Sequence, residues 1–402
     1  MYKEQLKAAL YVYRDNETLS NATYGPINDW DTSRITDMGG LFRGPGGNFN
    51  ADINGWDTSS VTSMSEMFFP ATSFNRDING WNVSSVTDMA SMFYHAESFN
   101  ADINAWDVSR VTRMRFMFYE AESFNGDING WDTSQVTDMG SMFSYATAFN
   151  QPLEWDTSQV ADTWSMFVYA TNFNQPLEWD TSKLTVANAM FNTASNFNQP
   201  LSWNTSKLTT MWGMFANTLA FNQPLEWDTS SLTNIQDTFA GSYAFNQPLD
   251  WDTSRITDLD STFDNAISFN QPLDWDTSQV TSMRSVFKSA INFNQPLNWN
   301  TNQVTYMRSI FRSAIKFNQP LNWDTSQVTY MHSMFYNASE FNGDINGWDT
   351  SKVTKMSQVF YDASAFNQVL EWDTSKVTSM KQMFTNSPGS FSSSVDDDDD
   401  DY

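Results

Sequence analysis

Cysteine is absent from this chain of 402 residues, and histidine occurs only twice. Disulfide bonds and thiolate metal sites are therefore excluded, whereas the redox compartment is left open. No run of about 18 apolar residues occurs, so the sequence predicts no helix that spans a bilayer. No apolar segment follows a basic start after Met1. We therefore expect a protein that stays inside a cell or whose export signal lies outside this sequence.

Positive charge is also scarce. The chain has 21 Lys and Arg residues and 47 Asp and Glu residues, which gives a formal net charge of −26. A chain this acidic repels phosphates, so the composition argues against nucleic acid and anionic membrane surfaces as partners. It favours cationic partners, metal ions, or simply solubility through self-repulsion.

Tryptophan, by contrast, recurs at intervals of 24 to 26 residues through most of the chain. The repeated positions are Trp30, Trp56, Trp81, Trp106, Trp131, Trp155, Trp179, Trp203, Trp227, Trp251, Trp275, Trp299, Trp323, Trp348 and Trp372. Such a fixed period is typical of a solenoid, whose coils bury their apolar faces against neighbouring coils. We predict a capping helix and lead-in over 1–24, a solenoid of about fifteen coils over 25–391, and a disordered Ser/poly-Asp tail over 392–402.

Each coil has one of two forms, in which Leu lies two residues before Trp or Ile lies three residues before it. An insertion tolerated there indicates a turn or bulge rather than an uninterrupted strand. From Trp onward, as in residues 155–158, apolar and polar positions alternate, which predicts a short half-buried strand. Residues 136–143 carry apolar groups at i, i+3, i+6 and i+7, which predicts a short helix or 3-10 turn.

Stacked coils place equivalent residues in columns. The asparagine of a Phe-Asn pair recurs in fourteen coils, and its amide can both donate and accept, so it can satisfy turn backbone groups of its own coil and the next. Stacked aromatic columns supply most of the predicted stability. The predicted structural ladder includes Asn150, Asn174, Asn198, Asn222, Asn246, Trp155, Trp179 and Trp227.

The repeat resembles that of BspA-like leucine-rich-repeat surface proteins, in the form found in mycoplasmal lipoproteins and also in protists and large DNA viruses. Residues 134–143 carry the likeness within a coil, and residues 6–9 and 24–30 resemble the lead-in of that family. The resemblance implies a right-handed, leucine-rich-repeat-like β/α solenoid with a parallel sheet on one face. It also implies a surface-exposed protein used in adhesion or recognition. No lipobox cysteine supports a lipid anchor, and Trp and Phe replace most leucines.

Acidic residues are ordered along the repeat, because Asp follows Trp in twelve of the fifteen coils and Asn does so in the other three. One interpretation is a ladder of divalent-cation sites, since calcium prefers carboxylate and carbonyl oxygens. The other is a ladder of turns whose side chains accept backbone N–H bonds, which the Asp/Asn interchange favours. The candidate partner-binding residues are Asp156, Asp180, Asp228, Asp252 and Asp276, together with the non-repeating Trp164 and Trp212.

Catalysis has little support in this pattern. His95 and His332 lie in distant coils and cannot pair, and an active site should break a repeat rather than obey it. We expect a non-enzymatic recognition or adhesion protein that binds a protein or glycan partner at a cell surface, outside the cell or on a virion. The alternative is an architectural subunit that self-associates into a filament, shell or virion surface, with or without divalent cations such as calcium. A hydrolase within the irregular residues 161–262 is the third hypothesis.

Overall fold

The computed structural model describes residues 1–44 and 47–392, in two compact units, Met1–Asn204 and Thr205–Tyr402. Both units consist of stacked coils that repeat the same contacts. The predicted tail lies outside the described residues except for Ser392. In the described part of the chain, no helix is both long enough and apolar enough to cross a membrane.

Two helices precede the first coil. Helix α1, Lys3–Asp15, lies where the apolar periodicity predicts a helix, and it buries Leu6, Ala9 and Leu10. Asn16 is extended and ends α1, and its side-chain oxygen accepts the Leu19 N–H at 2.9 Å, which caps helix α2, Glu17–Tyr24. A 3-10 turn, Ile27–Asp29, leads into the first tryptophan. The second helix is a feature that the sequence pattern did not predict.

Three columns of stacked aromatic rings form the core of each coil stack. They consist of the repeated Trp, the Phe that follows Met, and the Phe of the Phe-Asn pair. In the first unit, Trp131 and Trp155 lie 6.3 Å apart and almost parallel, and Phe118 lies 3.9 Å from Phe124. In the second unit, Trp275 and Trp299 repeat this arrangement at 6.2 Å. Since each ring buries a large apolar area between its neighbours, these columns stabilise the stack.

The predicted short helix or 3-10 turn between Trp segments is wrong, because the chain forms successive turns of another kind there. In one coil, backbone N–H groups of alternate residues 89, 91, 93 and 95 donate to carbonyls of residues 113, 115, 117 and 119 in the next coil. Ser91 and His95 have φ of 57° and 56°, in the left-handed region, which a continuous right-handed helix does not contain. Turn bonds such as Met92 N–H to Met89 O, 3.1 Å, reproduce the i, i+3 apolar spacing of a helix.

The predicted strand after Trp is wrong as well. Residues 155–158 alternate in burial as expected, yet no ladder pairs them; instead the Thr157 hydroxyl donates to the Asp180 carbonyl of the next coil at 3.0 Å. Parallel bridges lie seven residues after Trp, as between Asp88 and Arg113. Within the described residues, the strands are β1, Val369–Leu370, and β2, Ser390–Phe391, which pair in parallel.

Candidate functional site

The Asp column after Trp lies at a turn. Oδ1 of each candidate aspartate accepts the backbone N–H of the residue two positions later, at 2.9 to 3.1 Å, in Asp156, Asp180, Asp228, Asp252 and Asp276. Hydrogen bonds from that serine lower the pKa of each of these carboxyls. Asn82 makes the same bond to Ser84 at 3.1 Å. An uncharged acceptor therefore suffices, which favours the interpretation as a ladder of turns.

The alternative of a calcium ladder needs several oxygen ligands directed at one point. Across residues 1–44 and 47–392, no group of three or more His, Asp or Glu side chains is arranged to hold a metal ion. Calcium binding by the Asp column remains a prediction without a convergent site in the described residues.

The Phe-Asn asparagines bond from coil to coil. In the first unit, Asn150 Oδ1 accepts the Asn174 N–H, and Asn174 Oδ1 accepts the Asn198 N–H, both at 2.9 Å. In the second unit, Asn222 Oδ1 accepts the Asn246 N–H at 2.9 Å. The side-chain amide of each asparagine thus provides the acceptor for a backbone N–H of the next coil.

The tryptophans also bond between coils. The indole N–H of Trp155 donates to the Ile128 carbonyl at 3.1 Å, and that of Trp179 donates to the Leu153 carbonyl at 2.8 Å. Trp227 packs with its ring centroid 6.1 Å from that of Phe215. These side chains are buried and therefore belong to the core rather than to a binding surface.

The polar residues that break the repeat in the second unit are buried and bonded to backbone. The hydroxyls of Thr238 and Thr262 donate to the carbonyls of Ile235 and Leu259 at 2.7 and 2.8 Å. Ser242 donates to a backbone carbonyl at 2.6 Å. Their hydroxyl protons are therefore committed to structural hydrogen bonds, and they provide no exposed nucleophile.

Chemistry varies strongly between coils at five positions, which we name the variable columns. They lie 7, 9, 10, 13 and 14 residues after each repeated Trp, and they hold acidic, basic, aromatic and small residues in different coils. Side chains from different columns touch, as in the ion pair between Arg115 and Asp138, 3.8 Å, and that between Arg43 and Glu66, 3.0 Å. The columns therefore form one surface within a unit.

In the first unit, aromatic side chains cross the variable columns from coil to coil. Tyr94 and Tyr119 stack with centroids 4.5 Å apart, and Tyr145 and Tyr169 stack at 4.7 Å. Tyr119 lies 5.6 Å from Tyr145 and joins the two pairs. We name these four residues the tyrosine ladder. Burial raises the pKa of Tyr119 to about 12, with neighbouring tyrosines and Glu120 adding to the shift, so Tyr119 is uncharged at neutral pH.

Trp164 lies on the same surface. Its indole is 39% exposed, and Phe116 packs edge-on against it at 6.1 Å. The side chain of Tyr169, five residues further on, is 42% exposed. Trp164 therefore lies where the sequence interpretation requires a partner-binding aromatic, at the surface and beside other aromatics.

Charged groups flank this aromatic surface. His95 Nδ1 lies 2.5 Å from Glu120 Oε2, and the Arg115 guanidinium lies 4.9 Å from the centre of the Phe116 ring. Burial, together with the nearby charge of Asp138, raises the pKa of Asp162, which accepts the Trp164 N–H at 2.7 Å.

Trp212 belongs to the second unit, and its indole is exposed. Its Nε1 donates to Asp237 Oδ2 at 3.1 Å, so part of its polar edge is engaged within the protein. Burial raises the pKa of this aspartate.

The sequence pattern did not single out the tyrosine ladder, although a signal for it exists. Tyr94 and Tyr119 both lie 13 residues after a repeated Trp, while Tyr145 and Tyr169 both lie 14 residues after one. Aligning the coils on Trp would have placed the four side chains in two adjacent columns.

Comparison with known proteins identifies the family. The model described as "Mycoplasma protein of unknown function, DUF285" matches residues 11–125, 100–202, 177–250, 249–322 and 297–398. No curated protein and no solved structure matches the chain. The overlapping matches agree with the tandem repeats, and they cover most of the chain. The chain therefore belongs to the DUF285 family of mycoplasma repeat proteins of unknown function.

Proposed function

We propose that this chain is a non-enzymatic recognition protein that binds a protein or glycan partner through the variable columns of its first unit. The observation that carries the proposal is the aromatic surface formed by the exposed Trp164 and Tyr169 together with the half-buried rings of the rest of the tyrosine ladder. Tyrosine and tryptophan combine large apolar area with a polar group, and they dominate binding energy at interfaces.

Repetition supports the choice of this surface. Residues of the Trp, Asn and Asp columns are engaged in the same bonds in coil after coil, so their chemistry is set by the structure of the repeat. The variable columns are freer of that constraint, and beyond Tyr169 and Trp164 the next coil presents the smaller Thr193 and Asn188. Exposed rings beside small polar side chains provide apolar area with hydrogen-bonding groups next to it.

The resemblance to BspA-like leucine-rich-repeat proteins supports a location where such a surface meets partners. We accordingly propose a surface-exposed protein, on a cell, outside it or on a virion. A long repeated surface suits adhesion, because many weak contacts in a row add to strong binding.

The test measures binding of the full chain to panels of immobilised glycans and purified surface proteins. The variant Trp164→Ala/Tyr169→Ala removes the exposed rings. The control Asp156→Asn/Asp180→Asn keeps the turn acceptors, because Asn occurs naturally at this place in the repeat, as at Asn204. Each truncated interface aromatic is expected to weaken binding by about 2 kcal/mol or more, while the control binds normally.

Three outcomes would overturn the proposal. These are the absence of any bound partner, equal binding by both variants, or loss of binding only in the Asp control. Filaments of the wild-type chain in electron micrographs, with no partner bound, would favour the architectural alternative.

A further inference from the structure

The second unit carries a cationic cluster that runs against the acidity of the chain. Arg308 and Arg312 lie in one coil, 9 and 13 residues after Trp299, and His332 lies 9 residues after the next Trp. The preceding coil holds Arg284 and Lys288 at the equivalent positions. Five basic residues thus occupy two of the variable columns in three successive coils.

The preceding coils show how these columns normally balance charge. Arg284 Nε lies 2.5 Å from Asp260 Oδ2, and Lys288 Nζ lies 2.9 Å from Asp264 Oδ2. In each pair the acid occupies the position of the base one coil earlier. A carboxylate thus bonds to the cation of the next coil in the same column.

Arg308 and Arg312 break this balance. The coil before them offers Arg284 and Lys288 in place of acids, so like charges follow one another in both columns. Among the described residues, neither Arg308 nor Arg312 forms a salt bridge. Burial and these two arginines lower the pKa of His332, in line with a positive potential at this place. Like charges at the spacing of adjacent coils destabilise a stack, and an external anion between them relieves that cost.

Tyrosines border the cluster. The Arg312 guanidinium lies 4.4 Å from the centre of the Tyr336 ring, which holds the guanidinium against a flat surface. Tyr306 and Tyr330 stack at 5.3 Å in the column beside Arg308, and both are exposed. A guanidinium group suits an oxyanion because it can donate two parallel N–H bonds, and exposed tyrosines offer apolar area with a hydroxyl to a sugar ring.

We propose that Arg308 and Arg312, beside His332 and bordered by Tyr330 and Tyr336, bind the sulfate ester groups of an acidic polysaccharide. This deepens the proposed function, since it rests on the chain being a recognition protein and names one class of glycan partner. Nucleic acid fits less well, because a phosphodiester backbone needs a long basic track and the cluster is bounded by Asp260 and Asp264 in a chain of charge −26.

The test uses dextran sulfate as the probe, with uncharged dextran and a single-stranded oligonucleotide for comparison. Binding of the full chain is measured by calorimetry at physiological ionic strength. The variant Arg308→Gln/Arg312→Gln removes two positive charges from the cluster. The control Arg255→Gln/Lys376→Gln removes two from the surface beside the Asp column, and melting curves verify that both variants fold.

We expect the cluster variant to bind dextran sulfate at least about tenfold more weakly than the wild type does, because the charge-assisted hydrogen bonds of each arginine are lost. The control binds as the wild type does, and uncharged dextran does not bind. Equal loss in both variants, no binding by the wild type, or tighter binding of the oligonucleotide would each overturn the inference. The first-unit aromatic variant tests the proposed function separately, so failure here leaves that proposal standing.

Discussion

Phe116 packs edge-on against Trp164, with ring centroids 6.1 Å apart and planes at 90°. The two residues come from coils that are not adjacent, and the coil between them contributes Gly140 at the crossing. A Cβ placed on Gly140 would lie 3.8 Å from the indole Cε3 of Trp164. The contact thus joins aromatic side chains of two non-adjacent coils, and Gly140 of the coil between them contributes no side chain.

This contact predicts an energetic coupling. In a double-mutant cycle of Phe116→Ala and Trp164→Ala, denaturant unfolding should give a coupling energy of about 0.5–1.5 kcal/mol, the range for aromatic pairs. Phe116→Ala combined with Tyr330→Ala of the second unit is the control and should be additive. A coupling no larger than that of the control pair would show that the rings do not interact in solution.

The asparagine ladder predicts a difference between two substitutions of Asn150. Its Oδ1 accepts the Asn174 N–H at 2.9 Å and the Gln175 side-chain amide at 3.2 Å. Asn150→Ala removes this acceptor from a half-buried place and should lower the unfolding free energy by about 1–3 kcal/mol. Asn150→Asp keeps an acceptor and should lose less. Equal losses in urea unfolding would contradict a role through hydrogen bonding.

The Asp column predicts loss of stability in acid. Hydrogen bonds from the following serines hold the pKa of Asp276 and Asp324 below its ordinary value in the folded chain. Their contribution is therefore complete at neutral pH and is lost as pH falls from about 5 through the folded pKa. Asp276→Asn/Asp324→Asn should show a shallower decline of melting temperature between about pH 5 and pH 2. An unchanged decline would argue against these bonds.

For Asp162 we predict the opposite dependence of stability on pH. Burial raises its pKa, so ionisation costs folding free energy and wild-type stability falls as pH rises through the folded pKa. Asp162→Asn keeps the acceptor for the Trp164 N–H and removes the charge. It should raise the melting temperature at pH 7, and the gain should disappear below about pH 4. Asp156→Asn, at a carboxyl whose pKa is lowered, is the control and should bring no gain.

The burial of one face of the capping helix α1 leads to a prediction about two leucine substitutions. Leu10 lies on the buried face of α1, whereas Leu19 of α2 is 55% exposed. Leu10→Ala should cost about 2–5 kcal/mol of unfolding free energy, because it leaves a cavity. Leu19→Ala should stay within about 0.5 kcal/mol of the wild type. Similar effects of both changes would mean that α1 does not cover the first coil.

Much of the fold was predictable because it repeats. The Trp period predicted coils, the alternation after Trp predicted which side chains are buried, and the periodicity of residues 3–14 predicted α1. The path of the chain in residues 88–95 was not predictable in this way. Apolar spacing of i and i+3 is common to a helix and to successive turns, and only bonds to the next coil distinguish them.

The candidate site was predictable in part. Trp164 and Trp212 stood out because they break the repeat, but the pattern also pointed to the Asp column, whose carboxyls are engaged in turns. Tyr94 and Tyr169 escaped notice because each is unremarkable within its own coil. Their significance arises from neighbours about 24 residues away in the chain, which a local pattern does not reveal.

The sequence by itself determined the period, the aromatic core and the acidity of the surface, since these depend on residue type and spacing alone. The tertiary structure decided the conformation between the Trp segments, the contact of Phe116 with Trp164, and the lack of a salt bridge for Arg308 and Arg312 among the described residues. The reason is physical: the hydrogen bonds within a coil of this kind close only tight turns, so its conformation and its surface are completed by the coils on either side.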